Sequence, residues 1–368
     1  MTSTPTGLGN RLLQLASFQP GVTPMLSLYL NTQPDQHGRA NFDSFLRKEF
    51  KQAGERFAAR SAERDSFEKD ASRINDWLRS SLLPSSNGVA VFACTAADDF
   101  FEAVQFDAPI PKNELHVYNQ PHIFPLARLQ DQYPRHAVLL ADTNFGRIFA
   151  FGLGKTFAQE TTSNLKISDR TEVGRWSRAR ENSREENYRM QHASELIEQL
   201  DRIVRSEQID SIILAGDDVV LPTLRDQLSP YLAERVVATL PLDIKTAEHE
   251  VRSASHAALR EHDIGNDEDR VKAMLDVYHS RGRAAGGVHD VLAALTNGQV
   301  EELFVSERLD EQYRNAEDLG ALAGAAGVNV ADALVSRAVQ TGARITFIED
   351  EGLLSQLGGI AAMLRYRV

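Results

Sequence analysis

The chain holds a single cysteine, Cys94, among 368 residues. No disulfide can form within it, so its stability must come from buried apolar surface, and this usage suits a reducing cytoplasm. Cys94 follows the apolar stretch VAVFA at 89–93 and reads as a small buried residue. Long hydrophobic runs are missing as well. No stretch approaches the roughly 20 apolar residues of a membrane span. The N-terminal MTSTPT lacks the basic-then-apolar pattern of a secretory signal. Metal-ligand spacing is also absent: His249, His256 and His262 share one predicted helix, but their intervals of seven and six are not the close pairs of helical zinc sites. They read as surface residues. No Gly-x-Ser-x-Gly elbow, P-loop or dinucleotide fingerprint occurs, so the sequence presents no catalytic residue, metal site or cofactor. Excess positive charge is missing too. The formal net charge of -12 argues against non-specific coating of DNA but leaves room for a local basic patch aimed at RNA.

What is present describes an ordinary globular protein, 42% hydrophobic and 25% charged. Its length exceeds one ordinary core, and two or three domains are expected. The first unit, 1–130, reads as α/β. A strand is predicted at 25–30, a helix at 42–60 with Asn41 as its cap, a helix at 62–82, and strands at 88–94 and 100–106 joined by Asp98 and Asp99. The proline-rich stretch 108–133 reads as an irregular connection. In the second unit, 134–267, strands at 136–141, 147–152, 211–216 and 235–240 alternate with helices, which implies a mainly parallel sheet. Asp217 and Asp218 follow the strand at 211–216; they could face a ligand at the sheet's carboxyl edge, or one of them could cap the next helix. The acidic, turn-forming run 263–269 reads as a boundary. The third unit, 270–368, predicts helices at 270–281, 288–297 and 329–341 with strands at 302–305, 343–348 and 360–366, a small α/β/α sandwich. Gly286 and Gly287 precede a helix and read as a turn, or as an anion-holding loop.

The chain is organised around the polar turn that enters the second unit's long helix. Arg175, Arg178, Arg180 and Arg184 crowd together there, with Gly174, Trp176 and Ser177 among them. An apolar stripe follows at helical spacing: Ala193, Leu196, Ile197, Leu200, Ile203 and Val204. The pattern predicts a helix held by its apolar face with an arginine-rich loop at its N-terminal end. Arginine pairs bidentately with phosphate, and a helix N-terminus adds positive dipole, which fits a loop reaching into nucleic acid. A solvated loop neutralised by Glu181, Glu185 and Glu186 fits the same residues.

Five segments together resemble the archaeo-eukaryotic peptide-chain release factor and Pelota family, in its bacterial branch. They are SLYLNT at 27–32, SIILAG at 211–216, VHDVLAAL at 288–295, the loop at 173–178, and the ending GGIAAMLRYR at 358–367, which is the most specific match. The resemblance implies three α/β domains: 1–130 facing the ribosomal decoding centre, 134–267 reaching the peptidyl-transferase centre, and 270–368 binding a translational GTPase or a related factor. The family's catalytic device is a Gly-Gly-Gln loop just before a long helix. Bacterial relatives often read GWSQAR there, whereas this chain reads RWSRAR at 175–180, with Arg178 at the glutamine position. Glutamine can orient a water. Arginine is donor-only and permanently charged. The resemblance therefore implies a cytoplasmic factor that occupies the A site of idle or stalled ribosomes without hydrolysing peptidyl-tRNA, similar to Balon-type hibernation factors, which act alongside elongation factor Tu. Its RNA-binding residues would be Gly174, Arg175, Trp176, Ser177, Arg178, Arg180 and Arg184. An active rescue hydrolase and an unrelated α/β metabolic enzyme using Asp217 and Asp218 are the alternatives.

Overall fold

The structure, a computed structural model, describes residues 8–19, 21, 23–34, 42–153, 155–163, 178–313 and 329–366, with the backbone alone for 155, 157, 162–163 and 178–187. The chain folds into two compact units: Met1–Gln132 together with Asn266–Val368, and Tyr133–Gly265. Three sheets, one in each of the three segments expected from the sequence, build them.

The first segment places β1 (Met25–Asn31), β2 (Gly88–Cys94), β3 (Phe100–Phe106) and β4 (Glu114–Tyr118) in an antiparallel sheet of order β3-β2-β1-β4. Alternation decides its faces. Leu26, Leu28, Leu30, Val89 and Val91 pack against Leu46 of α2 (Asp43–Gly54) and Phe67, Ile74 and Leu78 of α3 (Ala62–Ser81). Tyr29, Ser27 and Phe92 fall on the opposite face and are also buried. Cys94 is buried, as its apolar context implies. The expected cap Asn41 lies outside the described residues; α2 begins after Phe42 with no side-chain cap. The cap that is visible belongs to α3, where Ser61 Oγ accepts from the Arg64 amide at 3.2 Å.

The expectation of an irregular connection at 108–133 is corrected. It contains β4, paired with β1, and α4 (Phe124–Gln132). Pro111 and Pro121 flank the strand and do not interrupt it. Pro125 stands in the first turn of the helix, where an amide hydrogen has no intrahelical partner to lose.

In the second unit the sheet order is β7-β6-β5-β8-β9, from β5 (His136–Ala141), β6 (Phe145–Gly152), β7 (Lys155–Ser163), β8 (Ser211–Gly216) and β9 (Val236–Leu240). β5, β8 and β9 run parallel; β6 pairs antiparallel with both β5 and β7. The polar edge strand β7 was not legible in the sequence. Ala137, Leu139 and Ala141 face α5 (Arg178–Ser206), while Val138 and Leu140 face Val251 and Leu259 of α8 (Glu248–His279). Helices α6 (Val220–Gln227) and α7 (Pro230–Ala233) precede β9. The run 263–269 does hold the division between the two compact units, at Gly265 and Asn266, but the turn expected there is a second correction: α8 runs unbroken through it. Pairing of Arg270 with Asp267 and of Lys272 with Glu268 at helical spacing supports the backbone there. Gly265, with open space where a side chain would lie, costs the helix only propensity.

The third segment orders β10 (Ala284–Gly286), β13 (Ile360–Leu364), β11 (Val300–Ser306) and β12 (Arg344–Ile348) as β10-β13-β11-β12. β11 and β12 are parallel; the other pairings are antiparallel. Val271 and Met274 of α8 and Leu354 of α12 (Glu351–Leu354) cover one face through Phe304, Ile348 and Ala361. Helices α9 (Val288–Thr296) and α11 (Val330–Thr341) contact the sheet strands as well, and α10 (Leu309–Tyr313) follows β11. The α/β/α sandwich expected from the sequence is present. Gly358 and Gly359, at φ 67° and 80°, turn the chain into β13, a backbone conformation that other residues adopt only under strain. Gly287 N–H donates to Ile360 O at 3.0 Å, so the Gly286–Gly287 pair is a turn tied into its own sheet.

Candidate functional site

Of the predicted RNA-binding residues, Gly174, Arg175, Trp176 and Ser177 lie outside the described residues. Arg178, Arg180 and Arg184 fall on the first turns of α5, where the structure describes the backbone. Their anchor is described in full. Ala193, Leu196, Leu200 and Val204 are each at most 1% exposed and form the stripe that the spacing predicts. Gly146 of β6 lets the helix approach closely, since a Cβ there would lie 2.2 Å from Leu196 Cδ2. The residues next toward the loop, Tyr188, Arg189, Met190 and Gln191, are exposed. Burial of each leucine contributes roughly 1.5–3 kcal/mol, so the C-terminal half of α5 is fixed to the sheet that carries it.

At the end of β8, Asp217 Oδ1 accepts from the amides of Val219 and Val220 at 3.0 and 2.8 Å. Its carboxylate closes the turn that leads into α6, and the ligand-facing alternative has no support from its contacts. His249 and His262 are exposed, as expected of surface residues. His256 is half-buried and stacks on Tyr133 with ring centroids 4.3 Å apart.

A cluster that sequence reasoning missed lies on the second face of the first sheet. Glu114 and His116 are two residues apart on β4, so their side chains share a face with Tyr29 and Ser27, their partners across the β1 register. His122 follows in the turn before α4. Its amide donates to Ser27 Oγ at 3.0 Å, and its carbonyl accepts from Tyr29 Oη at 2.5 Å. From α11, Asp332 reaches the same turn: Oδ2 lies 2.7 Å from His122 Nδ1, and Oδ1 accepts from the amides of Ile123 and Phe124 at 2.8 and 2.9 Å. The side chain of His122 is 0% exposed and that of Asp332 5%. Burial alone disfavours the His122 charge, but the adjacent Asp332 carboxylate outweighs it and raises the pKa above the ordinary histidine value.

His116 stacks on His122, ring centroids 3.8 Å apart and tilted 35°, while its Nε2 lies 3.1 Å from Glu114 Oε2. Lys112 Nζ pairs with Glu114 Oε1 at 3.1 Å. Burial would raise the Glu114 pKa, yet hydrogen bonds from His116 and Lys112 hold it down at about 2. Burial lowers the pKa of His116. One ligand atom from each of Glu114, His116 and His122 lies within 4.8 Å of the other two. This grouping of possible metal ligands lacks the close histidine pairs that would mark a metal site in the sequence. The legible part of its signal was Glu114-x-His116 on alternate strand positions. Asp332, 210 positions beyond His122, left none.

Comparison with known proteins follows the same division of the chain. Residues 121–263 match the model of bacterial archaeo-eukaryotic release factor family 10, and residues 266–368 match eRF1 domain 3. Proteins named pelota homologue from Natronomonas pharaonis and Haloarcula marismortui are each 29% identical, over 47% of this chain and 50% of their own length. The chain thus spans about half the length of these curated relatives. Among solved structures, a ribosome-bound archaeal Pelota, described together with ABCE1, is 15% identical over 98% of this chain and 94% of its own, with a TM-score of 0.44. The Saccharomyces cerevisiae factor Dom34, described as translation termination-like and interacting with Hbs1, is 10% identical over 76% and 79%, with a TM-score of 0.42. At these scores the structural likeness carries no further weight. With adjoining matches to a bacterial release factor family and to eRF1 domain 3, the chain is a bacterial Pelota- and release-factor-like protein.

Proposed function

We propose that the protein is a ribosome-associated factor that occupies the A site of idle or stalled ribosomes and does not hydrolyse peptidyl-tRNA. One observation carries this reading: Arg178 stands where the family's release loop has its glutamine. Arg178 is also the first residue of α5, with Arg180 and Arg184 in the turns that follow. A cation there gains nothing from the helix dipole, which favours negative charge at that end. Helix stability therefore does not account for arginines at this place, whereas an anionic partner such as rRNA phosphate does.

In this reading the segments act as three domains. Residues 1–130 face the decoding centre, and 134–267 present the arginine loop, 174–184, toward the peptidyl-transferase centre. Residues 270–368, within the eRF1 domain 3 match, take a translational GTPase or elongation factor Tu. Action on ribosomes makes it a cytoplasmic protein. Among the described residues no helix is long and apolar enough to cross a membrane.

Co-sedimentation with ribosomes across a salt series tests the binding. Binding should weaken with salt, because the gain from releasing counterions shrinks. Replacing Arg175, Arg178 and Arg180 together with alanine should weaken it at least about tenfold, since a hydrogen bond to a charged group contributes roughly 1.5–3 kcal/mol. Salt-insensitive co-sedimentation, unchanged in the triple variant, rules out the loop as the anchor.

A further inference from the structure

We propose that Glu114, His116 and His122 form a binding site for one divalent transition-metal ion, with zinc the best-suited ion, and that the ion ties strand β4 to the turn before α4. Nothing in this inference depends on ribosome binding.

The argument starts from His122. Its ring is enclosed, and among the described residues only Nδ1 has a hydrogen-bond partner, the Asp332 carboxylate at 2.7 Å. Nε2 is buried and makes no hydrogen bond among the described residues. A buried ring nitrogen without a partner is costly whether it carries a proton or a lone pair. If Nδ1 carries the ring's proton and donates it to Asp332, Nε2 presents its lone pair to the cluster. That is the arrangement of a metal-ligating histidine, whose far nitrogen is almost always held by a carboxylate or carbonyl that fixes its tautomer and orientation. Asp332 is itself held in place by the Ile123 and Phe124 amides, at 2.8 and 2.9 Å, so the ring cannot readily turn.

The other two donors are of the right type. His116 offers Nε2, now 3.1 Å from Glu114 Oε2, and Glu114 offers a carboxylate. Two imidazoles and one carboxylate suit zinc with a fourth position left for water. The same set accommodates ferrous iron, so a choice between these ions rests on relative affinity. Donors bound to one tetrahedral zinc at 2.0–2.1 Å lie about 3.3 Å apart. The present spread of up to 4.8 Å therefore has to contract. The movable members can supply this. The side chains of Glu114 and His116 are 20% and 10% exposed on an edge strand, whereas His122 is locked. The ion would replace the His116–Glu114 hydrogen bond, turn the His116 ring out of its stack on His122, and compete with Lys112 for Glu114. A cavity of ≈ 300 Å³, lined by Glu114, Lys112, Tyr29 and Phe124 among others, adjoins the Glu114 side of the cluster.

The test uses the full chain without a histidine tag, stripped with a chelator and titrated with zinc by calorimetry. Cobalt is titrated in parallel and read by its visible absorption. One equivalent should bind tightly, and cobalt should give the intense bands of a four-coordinate site. Glu114→Gln with His116→Ala should weaken zinc binding at least 30-fold while leaving the unfolding midpoint in chelator near that of the parent chain. Should that pair fail to fold, His116→Asn alone carries the test, with an expected loss of about tenfold. His249→Ala with His262→Ala should bind zinc as the parent does. Absence of stoichiometric binding by the stripped parent overturns the proposal, as does undiminished affinity in the Glu114 and His116 variants.

Discussion

Replacing Asp332 with alanine probes the contact that joins the first and third segments of the chain. The change removes the partner of buried His122 and leaves the amides of Ile123 and Phe124 without their acceptor. Breaking one side of a buried charged pair costs about 3–5 kcal/mol, because the polar groups it leaves behind stay buried and uncompensated. The two orphaned amides belong to the same network, so their cost is not simply added. Asp332→Asn has nearly the same shape and keeps an oxygen for the amides, so it should lose only the charge-assisted part, roughly 1.5–3 kcal/mol. Both variants are unfolded with urea in chelator, which separates the effect from metal binding. The reporter is Trp77 fluorescence in a Trp176→Phe background, since Trp77 lies in the first segment with its ring centroid 6.3 Å from that of Phe101. With a urea dependence of about 2 kcal/mol per molar, Asp332→Ala should lower the midpoint by about 1.5–2.5 M and Asp332→Asn by about half as much. A shift below about 0.5 M for alanine would refute the claim that this buried network holds the two segments together.

Three further outcomes follow from the second unit. Leu196→Ala, at a fully buried position facing Gly146, should destabilise by about 2–5 kcal/mol and raise amide exchange along α5, as read by hydrogen exchange and mass spectrometry. Unchanged exchange would mean that the arginine loop has no fixed anchor there. His136 has its pKa lowered to about 4 by burial, which a hydrogen bond to the Pro134 carbonyl only partly offsets. The folded state therefore binds fewer protons than the unfolded one between the ordinary histidine value and about pH 4. This contribution, about 3 kcal/mol, is fully present above about pH 6.5 and is lost as the pH falls through about 4. His136→Gln should remove that slope from the protection of β5 amides, and an identical slope in the variant would exclude His136 as its source. Finally, Arg175→Gly with Arg178→Gln, which restores the small residue and the neutral amide of the release loop, should raise peptide release above that of the parent; Arg178→Gln alone should restore less.

How far the sequence could be read depended on whether a signal was local. The α5 stripe from Ala193 to Val204 repeats at helical spacing, and the buried runs at 136–141 and 211–216 match β5 and β8 residue for residue. The turn at Gly358 and Gly359 was equally plain. The acidic run 263–269 reads as a boundary because Asp, Asn and Gly favour turns; the two compact units divide there, yet the backbone stays helical, with ion pairs at helical spacing along its C-terminal end. β4 was hidden by its flanking prolines and by its role as an edge strand with polar residues on one face. The His122–Asp332 pair depends on a contact across 210 positions and on folding two segments into one unit, which no local pattern encodes. The arginine loop is the reverse case: Arg178 gains its meaning from family resemblance and chemistry, and the loop residues from Gly174 to Ser177 lie outside the described structure.

The central claim is that a release-factor-like chain with Arg178 at the glutamine position binds ribosomes without cleaving the ester. Hydrolysis needs a water held in line with the carbonyl and the developing negative charge stabilised. An arginine can serve the second need, but it cannot accept a hydrogen bond from the water. The direct measurement is single-turnover release of labelled peptide from a peptidyl-tRNA–ribosome complex, at protein concentrations where co-sedimentation shows the complex is saturated. The predicted result is release at the background rate with the protein bound. Release clearly above background by the unmodified protein would contradict the claim and establish a rescue hydrolase in its place.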